Sequence, residues 1–236
     1  MTLKRIKFAL IFIFPVLSAL SARPARAAQD FEGTVRMKLT TEKSTMIIDY
    51  FIKGPKARME MEPEKKDEKA HKIVSILDSG ARKMTVLMPQ QKKYMVMEWN
   101  PLNARNLKAK KPGMEFKKTG KTESILGYRC EQWLGTDEKR EIEAWTTPGL
   151  GRFAGLGGGG PSDSGLGDLE KQMLKEGAFP LRMIDREISG KERTRLEAVS
   201  AERKSLAASL FEPPPDFEAI QTPALKGFMK GFKSPK

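Results

Sequence analysis

Cysteine and histidine are nearly missing from this chain. Cys130 and His71 are the only ones in 236 residues. A lone cysteine cannot close an internal disulfide, and one Cys plus one His fall short of a structural zinc site. Any Ser-His-Asp or Cys-His catalytic group would have to recruit His71, which lies in the charged stretch 62–72 and reads as part of a solvated turn. No G-x-S-x-G, phosphate-cradling glycine loop or H-E-x-x-H occurs. The longest apolar run near the start, 8–22, is shorter than the roughly 20 residues that cross a bilayer. With no catalytic set, metal site or cofactor fingerprint, the expectation is a non-enzymatic protein.

What is present begins with a leader. Lys4, Arg5 and Lys7 precede the apolar run, and Ala25-Arg26-Ala27 offers the small-x-small pattern that a signal peptidase reads. No cysteine stands there to carry a lipid anchor. The layout predicts a signal peptide over 1–27 and work in the periplasm or outside the cell, an uncleaved N-terminal anchor being the alternative. The rest divides into one domain over 28–220 and a loose basic tail over 221–236. The leader's Lys4, Arg5, Lys7, Arg23 and Arg26 account for five units of the formal charge of +13. The remaining excess, about +8, is spread along the chain, so a soluble basic surface is the first reading. Weak contact with an anionic envelope surface is the sharper one; nucleic acid is not expected.

Turn signals and alternation give a series of short strands. Residues 31–39, 44–53, 57–61, 72–78, 83–88 and 93–99 read as an antiparallel meander, punctuated by Gly54-Pro55, Ser79-Gly80 and Pro89. In 57–61, Ala57, Met59 and Met61 face one way and Arg58 and Glu60 the other. Residues 100–112 are looser, with room for one short helix, and 118–128 read as turn-like around Gly120 and Gly127. A hairpin is expected from 128–135 and 141–146. The glycine run 157–160 marks a flexible loop over about 155–167. A helix is expected over 168–176, with Asp168 as N-cap and Gly177 as C-cap. Residues 180–189 are strand-like. Residues 192–203 fit strand or helix by period, and the preceding Gly190-Lys191 favours a hairpin partner. One helical turn over 205–211 and an extended piece over 216–220 complete the domain.

Several of these pieces, in this order, resemble the DUF4412 family of exported bacterial proteins of unknown function. The most specific is the block 119–133, TGKTESILGYRCEQW. Tyr50-Phe51-Ile52-Lys53-Gly54 with Arg58-Met59-Glu60, residues 84–89 with Lys93-Tyr94, Glu143-Ala144-Trp145, Phe179-Pro180-Leu181-Arg182 and Leu210-Phe211-Glu212-Pro213-Pro214 accompany it. The order of elements is more distantly similar to periplasmic lipoprotein carriers of the LolA and LolB type. That similarity rests on a strand, Gly-Pro turn, Arg-containing strand sequence and on the ending Leu-Phe-x-Pro-Pro-x-Phe. It implies a mainly β (α+β) fold: a strongly curved antiparallel sheet, an incomplete barrel, with a few short helices. It carries over no catalytic residue.

Thirteen methionines are present, many in predicted strands. Met59, Met61, Leu87, Met95, Met97, Trp133 and Trp145 form the candidate apolar binding face. Thioether side chains repack easily around varied acyl chains, so a lipid, an acyl chain or a lipoprotein is the partner such a face suits. Ordinary core filling is the competing reading for every one of them. It leads to an envelope structural or interaction module without a ligand cavity. A methionine-copper site lacks the accompanying histidines. Glu141 and Glu143 stand two apart and read as the solvent side of a strand, not as an acid-base pair. Lys108, Lys110, Lys111, Lys117, Lys118 and Lys121 make the densest basic stretch, a solvated loop or a contact for anionic lipid. Cys130 is expected to be buried, with an exposed thiol as the alternative. The oligomeric state is not readable. For the exported protein the expected N-terminus is Ala28; N-terminal sequencing that returned Met1 or Thr2 from the envelope fraction would overturn the leader.

Overall fold

A computed structural model of the chain describes residues 31–64, 72–99, 114–151, 153, 155 and 166–220. Within them lie β1 (Glu32–Thr41), β2 (Thr45–Lys53), β3 (Lys56–Pro63), β4 (Ile73–Asp78), β5 (Lys83–Met88), β6 (Lys93–Glu98), β7 (Phe116–Ile125), β8 (Tyr128–Thr136), β9 (Arg140–Thr147), α1 (Leu166–Glu176), β10 (Phe179–Glu187), β11 (Glu192–Arg203) and β12 (Glu218–Ala219). All twelve strands join one open sheet in the order β12-β6-β5-β4-β3-β2-β1-β11-β10-β9-β8-β7. Two antiparallel meanders, β1 to β6 and β7 to β11, are sewn together where β1 pairs with β11. The one parallel contact is the short β12 on β6. The mainly β, curved antiparallel sheet with few helices is therefore the fold this chain adopts.

Curvature follows from side chains that meet across the sheet. Tyr50 on β2 and Phe179 on β10 are three strand steps apart in the sheet. In a flat sheet their backbones would stand about 14 Å apart, with side chains pointing in parallel. Their rings lie edge to face with centroids 5.6 Å apart, and Phe153 packs 5.7 Å from Tyr50 and 5.4 Å from Phe179. Only a sheet curled toward this face brings them together. The inner face so formed holds the main apolar cluster, with Val35, Met37, Ile48, Trp133, Ile142 and Leu196 among its buried members. Leu169 and Met173 of α1, with Leu150 from the 3-10 turn Pro148–Leu150, pack into the same cluster.

The outer face carries a second, smaller cluster. Val74, Ile76 and Leu87 are covered there by Leu206 and Phe211, with Phe51, Tyr94, Leu210 and Phe217 packed around them. The cover is the segment after β11, which crosses the back of the sheet from β1 to β6. The Glu32 carboxylate accepts from the Leu206 backbone N–H at 2.7 Å, and Lys53 donates to the Leu206 carbonyl at 2.6 Å. Arg58 donates to the Leu210 carbonyl at 3.0 Å, and Glu218 and Ile220 donate backbone bonds to Lys92 and Tyr94.

The structure corrects several sequence expectations. Residues 118–125 are not a turn but most of β7, which keeps strand pairing around an irregularity between Lys118 and Thr122. Lys, Thr and Gly disguised it: Gly120, at φ 79°, takes the left-handed conformation that lets the strand bulge. The turn proper is only Leu126-Gly127, both at positive φ, as a tight two-residue hairpin requires. The helix starts at Leu166, two residues before the expected start, and Gly177 at φ 64° follows its end as a C-cap should. Residues 192–203 are strand, because β1 and β10 hold them from both sides. The helical turn over 205–211 is the 3-10 turn Ala208–Phe211. The leader, His71, the looser 100–112, the greater part of the glycine loop and the tail lie outside the described residues.

The seam between the meanders leaves no room at Gly33. A Cβ there would stand 2.0 Å from the Glu202 carbonyl oxygen and 2.9 Å from the Phe31 ring. Gly33→Ala should therefore destabilise the fold by roughly 1–3 kcal/mol, the usual cost of overpacking, seen as a lower urea midpoint. An unchanged midpoint would mean that β1 and β11 do not approach this closely.

Candidate binding face

Register decides which of the nominated residues can share a surface. Tyr50 on β2, Met59 on β3, Ser75 on β4, Val86 on β5 and Met95 on β6 stand opposite one another in one row across the inner face. The next row runs Ala57, Leu77, Met84, Met97. Met59, Met61, Met95 and Met97 therefore face the same way. Leu87 does not. It pairs with Val74 and Tyr94, points to the outer face and lies in the cluster under the C-terminal segment. Period-2 alternation reverses the direction of every second side chain, so Leu87 is separated from Val86 by the thickness of the sheet.

The two tryptophans also part company. Trp133 pairs with Ala144, so Trp145, the next residue along β9, points away from it. Trp133 is buried to 1% exposure in the main cluster, with Lys118 Nζ 5.3 Å from its ring centre. Its Nε1 has no hydrogen-bond partner among the described residues. Trp145 instead donates its indole N–H to Glu143 at 2.6 Å.

The inner face is closed in one part and more open in another. Met59 and Met61 belong to the main cluster with Tyr50, Phe153, Phe179 and α1. Tyr50 is fully inside; its hydroxyl donates to the Gly155 carbonyl, and burial, aided by the Glu170 charge, pushes its ionisation far above the ordinary tyrosine range. Toward β5 and β6 the same face carries Met84, Val86 and Met97, all only half-buried, beside buried Met95. Val86 was not among the nominated residues, although its period-2 spacing from Met84 and Met88 signals the shared face.

Glu143 is not a solvated carboxylate but the hub of an outer-face network. Besides Trp145, it accepts from Gln132 at 3.1 Å and Arg186 at 2.9 Å, and Gln132 in turn accepts from Thr119. Burial pushes the Glu143 carboxyl up, but the bonds from Arg186, Trp145 and Gln132 outweigh it and hold it below the ordinary range. Glu141 is 3.9 Å from Arg186. Next to this hub, Arg182 grips Glu123 through both terminal nitrogens and reaches Glu197 at 3.2 Å. These groups tie β7 to β11. Cys130 is fully buried in the main cluster, and burial pushes its thiol up to about 11. Among the described residues, no group of three or more His, Cys, Asp or Glu could hold a metal ion, and no helix is long and apolar enough to cross a membrane. Of the basic stretch, Lys117, Lys118 and Lys121 lie on β7 and not in a loop; Lys108, Lys110 and Lys111 lie outside the described residues.

With this geometry in view, the chain belongs to the family described as Domain of unknown function (DUF4412), whose pattern matches residues 31–217. No curated protein is similar enough to count as a match. Among solved structures, an uncharacterized conserved protein from Thermus thermophilus is similar at TM-score 0.45 and 11% identity, over 80% of this chain and 90% of that one. A domain named for outer membrane lipoprotein sorting from Vibrio parahaemolyticus is similar at TM-score 0.32 and 11% identity, over 79% and 91%. PNGF-II is similar at TM-score 0.49 and 18% identity; the likeness spans 84% of this chain but only 32% of that protein. Likeness at this level concerns the path of the chain and carries no argument about activity.

Asp185 is the one buried carboxylate left without full pairing among the described residues. It sits on β10 at the register irregularity with β11, 5% exposed, and its Oδ1 has no partner there. Burial raises its carboxyl above the ordinary range; Arg193 and Arg140 draw it down, while Asp137 and Glu187 add to the rise. The folded state thus holds this proton more tightly than the unfolded chain does. Ionisation costs stability as pH climbs through the raised value, and the cost vanishes below the unfolded range near about 3.9. Asp185→Asn should raise the melting temperature at neutral pH and leave it unchanged near about pH 3. A variant that melts lower at neutral pH would show that the charge is needed where it lies.

Proposed function

We propose that this is an exported, non-enzymatic binding protein of the bacterial envelope. Its 28–220 domain holds the acyl chain of a lipid or lipidated partner on the inner face of β4 to β6. One observation supports the reading above all. The row Met84–Met97 and its neighbour Val86 stay half-buried on an apolar face that is sealed elsewhere by α1 and the Tyr50–Phe153–Phe179 contact. Unbranched thioethers on a partly open surface suit a flexible apolar ligand. Met59, Met61, Trp133 and Trp145 belong to the sealed cluster in this reading, and Leu87 to the cluster on the opposite face. The leader over 1–27, the glycine loop near 155–167 and the basic tail over 221–236 keep the roles expected of them.

A second reading, an interaction module with a filled core, draws support from the same packing. Met59 at 4% and Trp133 at 1% exposure are ordinary core residues. Paired charge substitutions separate the two. Met59→Asp buries a carboxylate without a partner and should unfold the domain, at a cost of several kcal/mol. Met97→Asp should leave the melt within a few degrees of the parent, roughly the tolerance of a surface change, yet abolish binding of a fluorescent fatty acid. If the parent binds no fatty acid, the filled-core module replaces the lipid reading. If Met97→Asp binds as the parent does, the site is elsewhere.

A further inference from the structure

The two free edges of an open sheet are templates for another strand, and this chain treats its edges differently. At one end the C-terminal segment lays β12 against β6, with Glu218 opposite Lys93 and Ala219 opposite Tyr94. At the other end β7 pairs only with β8, and among the described residues no backbone group from 117 to 125 is bonded to another backbone on the side away from β8. Residues 117–122 are all exposed. The strand that the sequence disguised as a turn thus presents, among the described residues, an unpaired edge over 117–125, while Phe116 before it is buried and its carbonyl accepts from Gln172.

Its charges select what could add there. Lys118 is engaged by Glu131 at 3.2 Å and Glu176 at 2.7 Å, and Glu123 is held by Arg182. Lys117, before the bulge, and Lys121, within it, have no carboxylate partner among the described residues. Exposed Arg129 stands opposite Ser124 one strand in. A second copy of β7, with three lysines and one glutamate, would add net positive charge to an edge that is already positive, which disfavours it as the occupant. An extended segment carrying carboxylates at alternate positions meets the reverse situation. The backbone supplies the ladder bonds and the lysines supply the preference.

We infer that the β7 edge is a docking strand for an extended acidic peptide segment, taken up by strand addition at Lys117–Ser124. This goes beyond the acyl-chain reading and uses a different part of the sheet, so either can fail alone.

The test uses the chain from Ala28 on and a fluorescein-labelled decapeptide of alternating glutamate and valine. The same peptide with lysine for glutamate serves as the control, and phosphatidylglycerol vesicles as the competing surface. The glutamate peptide should bind in anisotropy titrations, more weakly as salt rises, and slow the amide hydrogen exchange of 117–124. The lysine peptide should not bind. Lys117→Glu combined with Lys121→Glu should weaken the glutamate peptide by about tenfold or more without moving the melting temperature. Four results would each overturn the inference: slow exchange on β7 before peptide is added, binding without slowed exchange there, a double variant that binds like the parent, or vesicles captured through these lysines while the peptide is ignored.

Discussion

The meeting of Tyr50, Phe153 and Phe179 holds the rest of this structure in place. Two strands that lie three steps apart can touch through their side chains only if the sheet between them curls. Once curled, the sheet has an inside, and β1, β11, β10 and β9 direct their apolar residues into it. α1 and the 3-10 turn at Pro148 then find a concave surface to close. The buried Tyr50 hydroxyl, which must have a partner, finds one in the Gly155 carbonyl. Without that convergence, the same strands would form a flatter sheet with one apolar face too broad for α1 to cover.

Curling one way leaves the other face to be dealt with. On β7 to β11 it carries charge: Arg182 pairs with Glu123 and Glu197, and Arg186 with Glu143, on β7, β9, β10 and β11. On β2 to β6 it is apolar, and the C-terminal segment is drawn across it. Glu32 and Lys53 clamp the start of that segment, while β12 secures its end. The segment therefore braces the sheet from β1 to β6, across the meander that carries the half-open methionine rows. Its removal would expose an apolar patch and loosen the curl together.

These features divide the labour of the sheet. The seam between the meanders is closely packed at Gly33, which admits no side chain, and the ring contacts of Tyr50, Phe153 and Phe179 reach across it. The two ends are where the structure has unused capacity. At the β5 and β6 end the capacity is apolar surface on the inner face; at the β7 end it is backbone on the edge. An apolar chain needs non-directional contact and a strand needs an aligned ladder, so the two bindings proposed above would draw on chemically different parts of the sheet.

Much of the local structure was legible in the chain alone. Alternation in β1 and β3, the β-branched and aromatic run of β2, the Gly-Pro and Ser-Gly turns, the β8–β9 hairpin and the helix stopping at Gly177 all follow from local stereochemistry. The burial of Cys130 follows equally from its character as a small hydrophobe. What alternation could not supply was which strands become neighbours, and every error about the candidate face comes from that gap. Leu87 is as apolar and strand-borne as Met59 and Trp133, yet it packs in the other cluster, and Trp145 shares their cluster while its side chain leaves β9 opposite to Ala144. Register, set by pairings such as Leu87 with Val74 and Trp133 with Ala144, puts the members of each pairing on one face and their chain neighbours on the other. β7 was hidden because Lys, Thr and Gly have weak strand preference by themselves and take it from β8. Glu143 looked solvated because its partners Arg186 and Gln132 come from other strands. Period, turn chemistry and burial preference are properties of neighbours in sequence and are written there. The side of the sheet a residue shares, and with whom, is settled only when the strands meet, because long-range pairing and curl belong to the whole sheet.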